Sequence, residues 1–88
     1  MRKELMSLHY LEDKNRFYVC DENDNQVGEM TFTRIGQNKA TINHTYIEPS
    51  YRGQGIADKL LDRVVDKLQQ EQREIIPICS FAAKKLAK

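Results

Sequence analysis

Ile47-Glu48-Pro49-Ser50-Tyr51-Arg52-Gly53-Gln54-Gly55-Ile56-Ala57 joins two segments of different hydrophobic period, and that change of period sets the fold. Upstream, Lys39 to Ile47 alternates residue by residue, as a strand with one buried face does. Downstream, Ile56, Leu60, Val64 and Leu68 recur at every fourth position, flanked by Ala57, Leu61 and Val65. Asp58, Lys59, Asp62, Arg63, Asp66 and Lys67 fill the gaps. This spacing predicts an amphipathic helix from about Gly53 to about Gln72 whose apolar stripe covers a sheet. Pro49 ends the strand. After the helix, Ile75 to Cys79 reads as a short apolar strand, so strand, helix and strand form a βαβ unit. Its two strands should be parallel, with a right-handed crossover. Pro77 has no N–H for a ladder, which puts the last strand at an edge or beside a gap.

The N-terminal half reads as an antiparallel meander. Ser7 to Tyr10 and Arg16 to Cys20 are short and rich in aromatic and β-branched residues. The turn formers Asp21 to Asn25 reverse the chain. Val27 to Ile35 then alternates, with Gly28, Met30 and Phe32 facing opposite to Val27, Glu29, Thr31 and Thr33. Gly36-Gln37-Asn38 makes a second turn into Lys39 to Ile47. There Ile42, His44 and Tyr46 should share one face, and Thr41, Asn43, Thr45 and Ile47 the other. Ser80 is a suitable N-cap for a last short helix, Phe81 to Ala87. The expected fold is α/β: a mixed, mostly antiparallel sheet of about five strands, with the long helix on one face and the short C-terminal helix nearby.

At 88 residues the chain has room for a single domain, 1–88, and one modest core. Fourteen Lys and Arg against thirteen Asp and Glu leave a net charge of +1, without the basic excess of a nucleic-acid binder. No apolar run approaches the ~20 residues of a membrane-spanning helix, and no secretory signal follows Met1. Cys20 and Cys79 lie far apart with no CxxC or His-rich partner, arguing against a zinc site or a disulfide framework. A cytoplasmic protein, monomer or weak dimer, is expected.

The loop carries the chemistry. Gly53 and Gly55 remove side chains where a ligand approaches the backbone. The amides of Arg52, Gly53, Gln54, Gly55, Ile56 and Ala57 are the helix's unpaired donors, at the positive end of its dipole. Such a terminus takes phosphate without side-chain charge. A Walker loop needs Gly-Lys-Ser/Thr, but Ile56 follows Gly55. A dinucleotide loop wants a third glycine where Asp58 stands.

The arrangement resembles motif A of the GNAT superfamily of N-acetyltransferases, whose pattern Gln/Arg-x-x-Gly-x-Gly/Ala is met by Arg52, Gly55 and Ala57. Ile47 and Pro49 upstream, Asn43-His44-Thr45 at the strand end, and Pro77-x-Cys79-Ser80-Phe81 before the last helix resemble its minimal, single-domain subgroup. The resemblance spans about Arg16 to the end. It implies an acetyl-CoA-dependent N-acetyltransferase, with the amine acceptor attacking the thioester directly in a ternary complex. By the same similarity, acetyl-CoA lies where the third long strand and the last strand splay apart. Backbone groups of Thr45, Tyr46 and Ile47 would pair with the pantetheine arm, and Cys79 and Phe81 would border it. The Cys79 thiolate either forms an acetyl intermediate or lines the pocket, and its ordinary pKa of about 8.5 must fall for the first role. His44 is either the base that deprotonates the ammonium or a hydrogen-bonded sheet histidine. Glu48 is the substitute base. His9 and Cys20 read as structural or surface residues. Lys84, Lys85 and Lys88 suit the C-terminal end of a helix dipole better than a ribose phosphate. The two helices that enclose the acceptor in full-sized GNAT enzymes have no room here, so the acceptor side should be open and shallow. The rival reading is a CoA-binding module without catalysis, acting as a sensor or partner subunit; a small structural interaction domain would bind no CoA.

Overall fold

A computed structural model describes residues 7–87. Five strands form one sheet in the order β1 (His9–Asp13), β2 (Arg16–Cys20), β3 (Gln26–Ile35), β4 (Lys39–Ile47) and β5 (Glu74–Pro77). The first four make the expected antiparallel meander, and β5 lies parallel to β4. The first strand begins later and runs further than Ser7 to Tyr10, because the chain reverses only at Lys14 and Asn15.

Helix α1 (Ile56–Gln70) packs across β2 to β5. It starts after both loop glycines, at φ 81° for Gly53 and 82° for Gly55, outside the helical region. Its buried residues are Ile56, Leu60, Leu61, Val64 and Leu68, the stripe read from the fourfold spacing. They meet Phe17, Val19, Val27, Met30, Phe32, Ala40, Ile42 and Ile47 from the sheet. Val27 joins this core against the alternation: the ladder skips it, pairing Val19 with Gly28 and Cys20 with Gln26, so Val27 and Gly28 are both buried.

The last helix, α2, is Ser80–Leu86. Its N-cap is Cys79, not Ser80, and the Cys79 sulfur accepts from the Ala82 amide at 3.5 Å. Ala82 is fully buried in the same core, and Lys85 pairs with Asp58 of α1 at 3.1 Å. The strand before it stops at Pro77 rather than Cys79. Two layers result, sheet and helices, within Cα extents of 47 × 26 × 17 Å. Among the described residues no helix is long and apolar enough to cross a membrane.

Candidate functional site

The site begins with an extra residue in β4. Thr31 pairs with His44 but Phe32 pairs with Ile42, so Asn43 is left over as a bulge. Its amide side chain is held on both sides: the Thr41 hydroxyl donates to Oδ1 at 2.6 Å, and Nδ2 donates to the Thr33 hydroxyl at 2.7 Å. The bulge resets the alternation. Ala40 and Ile42 face the helix before it, and Thr45 and Ile47 face the same way after it, opposite Met30 and Gly28. His44 and Tyr46 are thereby turned to the outer face. The expected shared face of Ile42 with His44 and Tyr46 is therefore wrong.

Strands β4 and β5 part at the same place. The last pair is Ile42 with Pro77, and the Ile78 and Cys79 amides both turn back onto the Ile42 carbonyl, at 2.9 and 3.0 Å. From Asn43 to Ile47, β4 continues without β5 beside it. The Glu48 amide donates to the Val27 carbonyl at 2.8 Å, which fixes the phase of the ladder. By its alternation Tyr46 and His44 point their main-chain groups at β3, whereas Thr45 and Ile47 point theirs into the gap. Arg52 Nε reaches the Ile47 carbonyl at 2.8 Å, its guanidinium 5.9 Å from the centre of the Tyr46 ring.

Cys79 closes the inner end of the gap. Its sulfur lies 3.2 Å from the Thr45 hydroxyl. Partial burial pushes the thiol's pKa up, but hydrogen bonds from Thr45 and from the Ala82 and Phe81 amides outweigh it, and the net shift is downward. Phe81 is half-buried at the start of α2.

At the other end of β4, Pro49–Tyr51 forms one 3₁₀ turn, capped at Glu48 without a side-chain bond. The segment from Arg52 to Gly55 is exposed and leads into α1. Gly55 caps the helix in a left-handed conformation and offers no side-chain oxygen to the first amides. Nothing lies within 4 Å of where a Cβ would stand on Gly53 or Gly55. The positive φ explains the glycines, and the open space above them leaves Ile56 and Ala57 amides free to meet an anion. Loop, free β4 edge and Cys79 thus form one continuous line; Glu48 lies along it.

His44 is on the outer face. Its Nε2 stands 3.8 Å from Glu29 Oε2, while Glu29 Oε1 accepts from Arg16 Nη1 at 2.9 Å. The alternation in the sequence only groups Glu29 with Val27, Thr31 and Thr33, opposite Gly28, Met30 and Phe32. Counting from the Gly36–Asn38 turn without the bulge would have put Asn43, not His44, opposite Thr31, so no sequence signal joined His44 to Glu29.

A family model described as GCN5-related N-acetyl-transferase matches residues 16–88. A Staphylococcus aureus protein described as GCN5-like superposes with a TM-score of 0.72 at 33% identity, over 89% of this chain and 76% of that one. An acetyltransferase from Vibrio fischeri gives 0.59 at 26% identity, over 77% of this chain and 64% of that one. The ribosomal-protein-alanine N-acetyltransferase of Brucella melitensis biovar Abortus 2308 shares the fold, with a TM-score of 0.66 at 21% identity over 89% and 64%. The chain thus spans under two thirds of the last two. No curated protein matches it.

Proposed function

We propose, from the premise that this chain belongs to the GCN5-related N-acetyltransferase family, that it transfers an acetyl group from acetyl-CoA to a primary amine. The observation that carries this reading is the free edge of β4, running from Cys79 to the glycine loop. The donor fits that line in three parts. Amides of Gly53, Gln54, Gly55, Ile56 and Ala57 suit the pyrophosphate, at a helix start with no competing side chain. The main-chain groups of Thr45 and Ile47 suit the amide-bearing pantetheine arm as a strand partner would. The Thr45–Cys79 pair marks the thioester end, with Phe81 beside it.

On binding, Arg52 exchanges the Ile47 carbonyl for phosphate oxygens, which a guanidinium grips as a charge-assisted pair. His44 takes a proton from the amine, which then attacks the thioester carbon. Glu48 stands further along the strand and is the substitute base if His44 is dispensable. Cys79 supplies a polarised thiol at the end of the gap and either shapes the pocket or carries the acetyl group in passing. A cytoplasmic, single-domain enzyme is the setting this chemistry suits.

Calorimetry with acetyl-CoA tests the reading. Heat of binding is expected for the native chain. Gly55→Asp should abolish it, since aspartate tolerates the left-handed cap but sets a negative charge in the phosphate cradle. Gly55→Asn makes the same conformational demand without the charge and should keep measurable binding. Equal heats from the two variants would show that the loop is not the site. The favoured reading over a CoA-binding module rests on His44, on the strand that borders the gap, with Glu29 of the next strand 3.8 Å from its Nε2; binding without turnover on alkylamine, polyamine and lysine-peptide panels would reverse that preference.

A further inference from the structure

We propose that Glu29 is the ligand for the acceptor's ammonium group, and that the acceptor is a primary alkylamine seated on the open face of the sheet, its nitrogen between Glu29 Oε2 and His44 Nε2. This deepens the transfer reading above and rests on it. The 3.8 Å between those two atoms is too long for a hydrogen bond. It suits a third atom at about 2.8 Å from each, the length of a charge-assisted bond. Glu29 is aimed from behind. Its Oε1 is held by Arg16 Nη1 at 2.9 Å, and Arg16 is itself held by Asp13 at 2.9 Å, by Gln26 at 2.9 Å and over the Tyr18 ring at 4.1 Å. The other carboxylate oxygen is left toward His44. The Glu29 side chain keeps only 24% exposure against 55% for His44, so its attraction for a cation is less screened than at a bare surface.

The body of the amine has a place to lie. A cavity of about 580 Å³ reaches Arg16, which holds Glu29, and Thr31, which pairs with His44; Asp13, Lys14, Asn15, Phe32, Thr33 and Asn43 line the rest of it. Thr31 is the cross-strand partner of His44, and Asn43 is its neighbour at the mouth of the β4–β5 gap. Hydroxyls, amides and charges at these positions suit an alkylammonium arm with polar substituents. The arm is common to a free amine and to a lysine side chain.

The transfer balances on these residues. The ammonium, held by Glu29, gives one proton to His44 Nε2. The freed lone pair attacks the thioester carbonyl carbon; the C–N bond forms and the C–S bond breaks. The electron pair leaves on sulfur, which takes the surplus proton of the amide nitrogen, and the imidazolium releases its proton to water.

Amide NMR spectra of the chain saturated with CoA, titrated with n-butylamine, lysine amide and a lysine tripeptide, test the assignment. Shifts are expected at Glu29, Thr31 and His44. In Glu29→Gln, CoA affinity should hold while amine affinity falls about tenfold or more, the scale of a lost charged hydrogen bond. Glu29→Asp, with its shorter reach, should fall between. In turnover, the KM for amine should rise with that for acetyl-CoA unchanged. Binding of the free amines supports a metabolite source, and binding of the tripeptide alone a protein lysine. CoA binding with amine shifts elsewhere, or with Glu29→Gln titrating like the native chain, overturns the proposal alone. Absence of CoA binding in the native chain would remove the transfer reading and this one with it.

Discussion

Cys79 serves two structural ends. It caps α2 through its sulfur, and the same sulfur meets Thr45 across the gap. Those hydrogen bonds stabilise the thiolate more than partial burial disfavours it, so the thiol ionises below its ordinary range. Iodoacetamide should therefore label Cys79 ahead of the buried Cys20 at neutral pH. Thr45→Val removes one hydrogen bond to the thiolate and should slow the labelling, followed by mass spectrometry, with the rate–pH profile displaced upward. Acetyl-CoA should protect. An unchanged rate in Thr45→Val would show that the Thr45 hydroxyl does not set the ionisation. In sequence, Ser80 was the better cap because an oxygen is the stronger acceptor. Just before the helix the Ile78 and Cys79 amides turn onto the Ile42 carbonyl of β4, a long-range contact that no local pattern records.

At the scale of elements, the bulge in β4 decides what the sheet can do. Deleting Asn43 would leave Phe32 opposite Ile42 and Thr31 opposite His44 in a regular ladder, with every side chain on its present face. We expect the variant to fold with an unchanged circular dichroism spectrum. Its acetyl-CoA affinity should fall at least about tenfold, roughly 1.4 kcal/mol, as the local twist relaxes and the gap narrows. Native-like binding in that variant would detach the gap from the bulge. The helix stripe, the βαβ order and the glycine loop were legible because each is written along one segment. The parallel pairing of β5 followed from the period change alone. The bulges at Val27 and Asn43 were not legible, since Thr41 to Ile47 alternates without a break and a bulge belongs to two strands at once. That one unseen residue misplaced His44 and hid its neighbour Glu29.

For the molecule as a whole, the gap has a counterweight at the opposite end of β4. Glu71, the C-cap of α1, accepts from Arg34 at 2.8 and 2.7 Å and from Arg73 at 2.7 Å. Arg34 also reaches the Lys14 carbonyl, and Arg73 those of Gly36 and Lys39, so one carboxylate ties helix, turns and strands together. The two guanidinium groups, Arg34 foremost, hold Glu71 down from 4.5 to about 2. A carboxylate lowered on folding stabilises fully above its unfolded value and progressively less as pH falls through its folded one. The midpoint of thermal unfolding should therefore drop between about pH 4.5 and 2 more steeply in the native chain than in Glu71→Gln. Parallel curves for the two would dissociate the clamp from acid stability.

The one-sided core has a consequence for how such a protein changes over generations. Folding information is concentrated on the helix-facing residues, from Met30 and Phe32 to Leu60 and Leu68, all close to fully enclosed. The residues that would choose an acceptor, Glu29, Thr31, Thr33 and His44, stand on the opposite side of the same strands and bear little of that burden. If the proposed acceptor site is right, a lineage could change its choice of amine by single outward substitutions while the inward message is inherited intact.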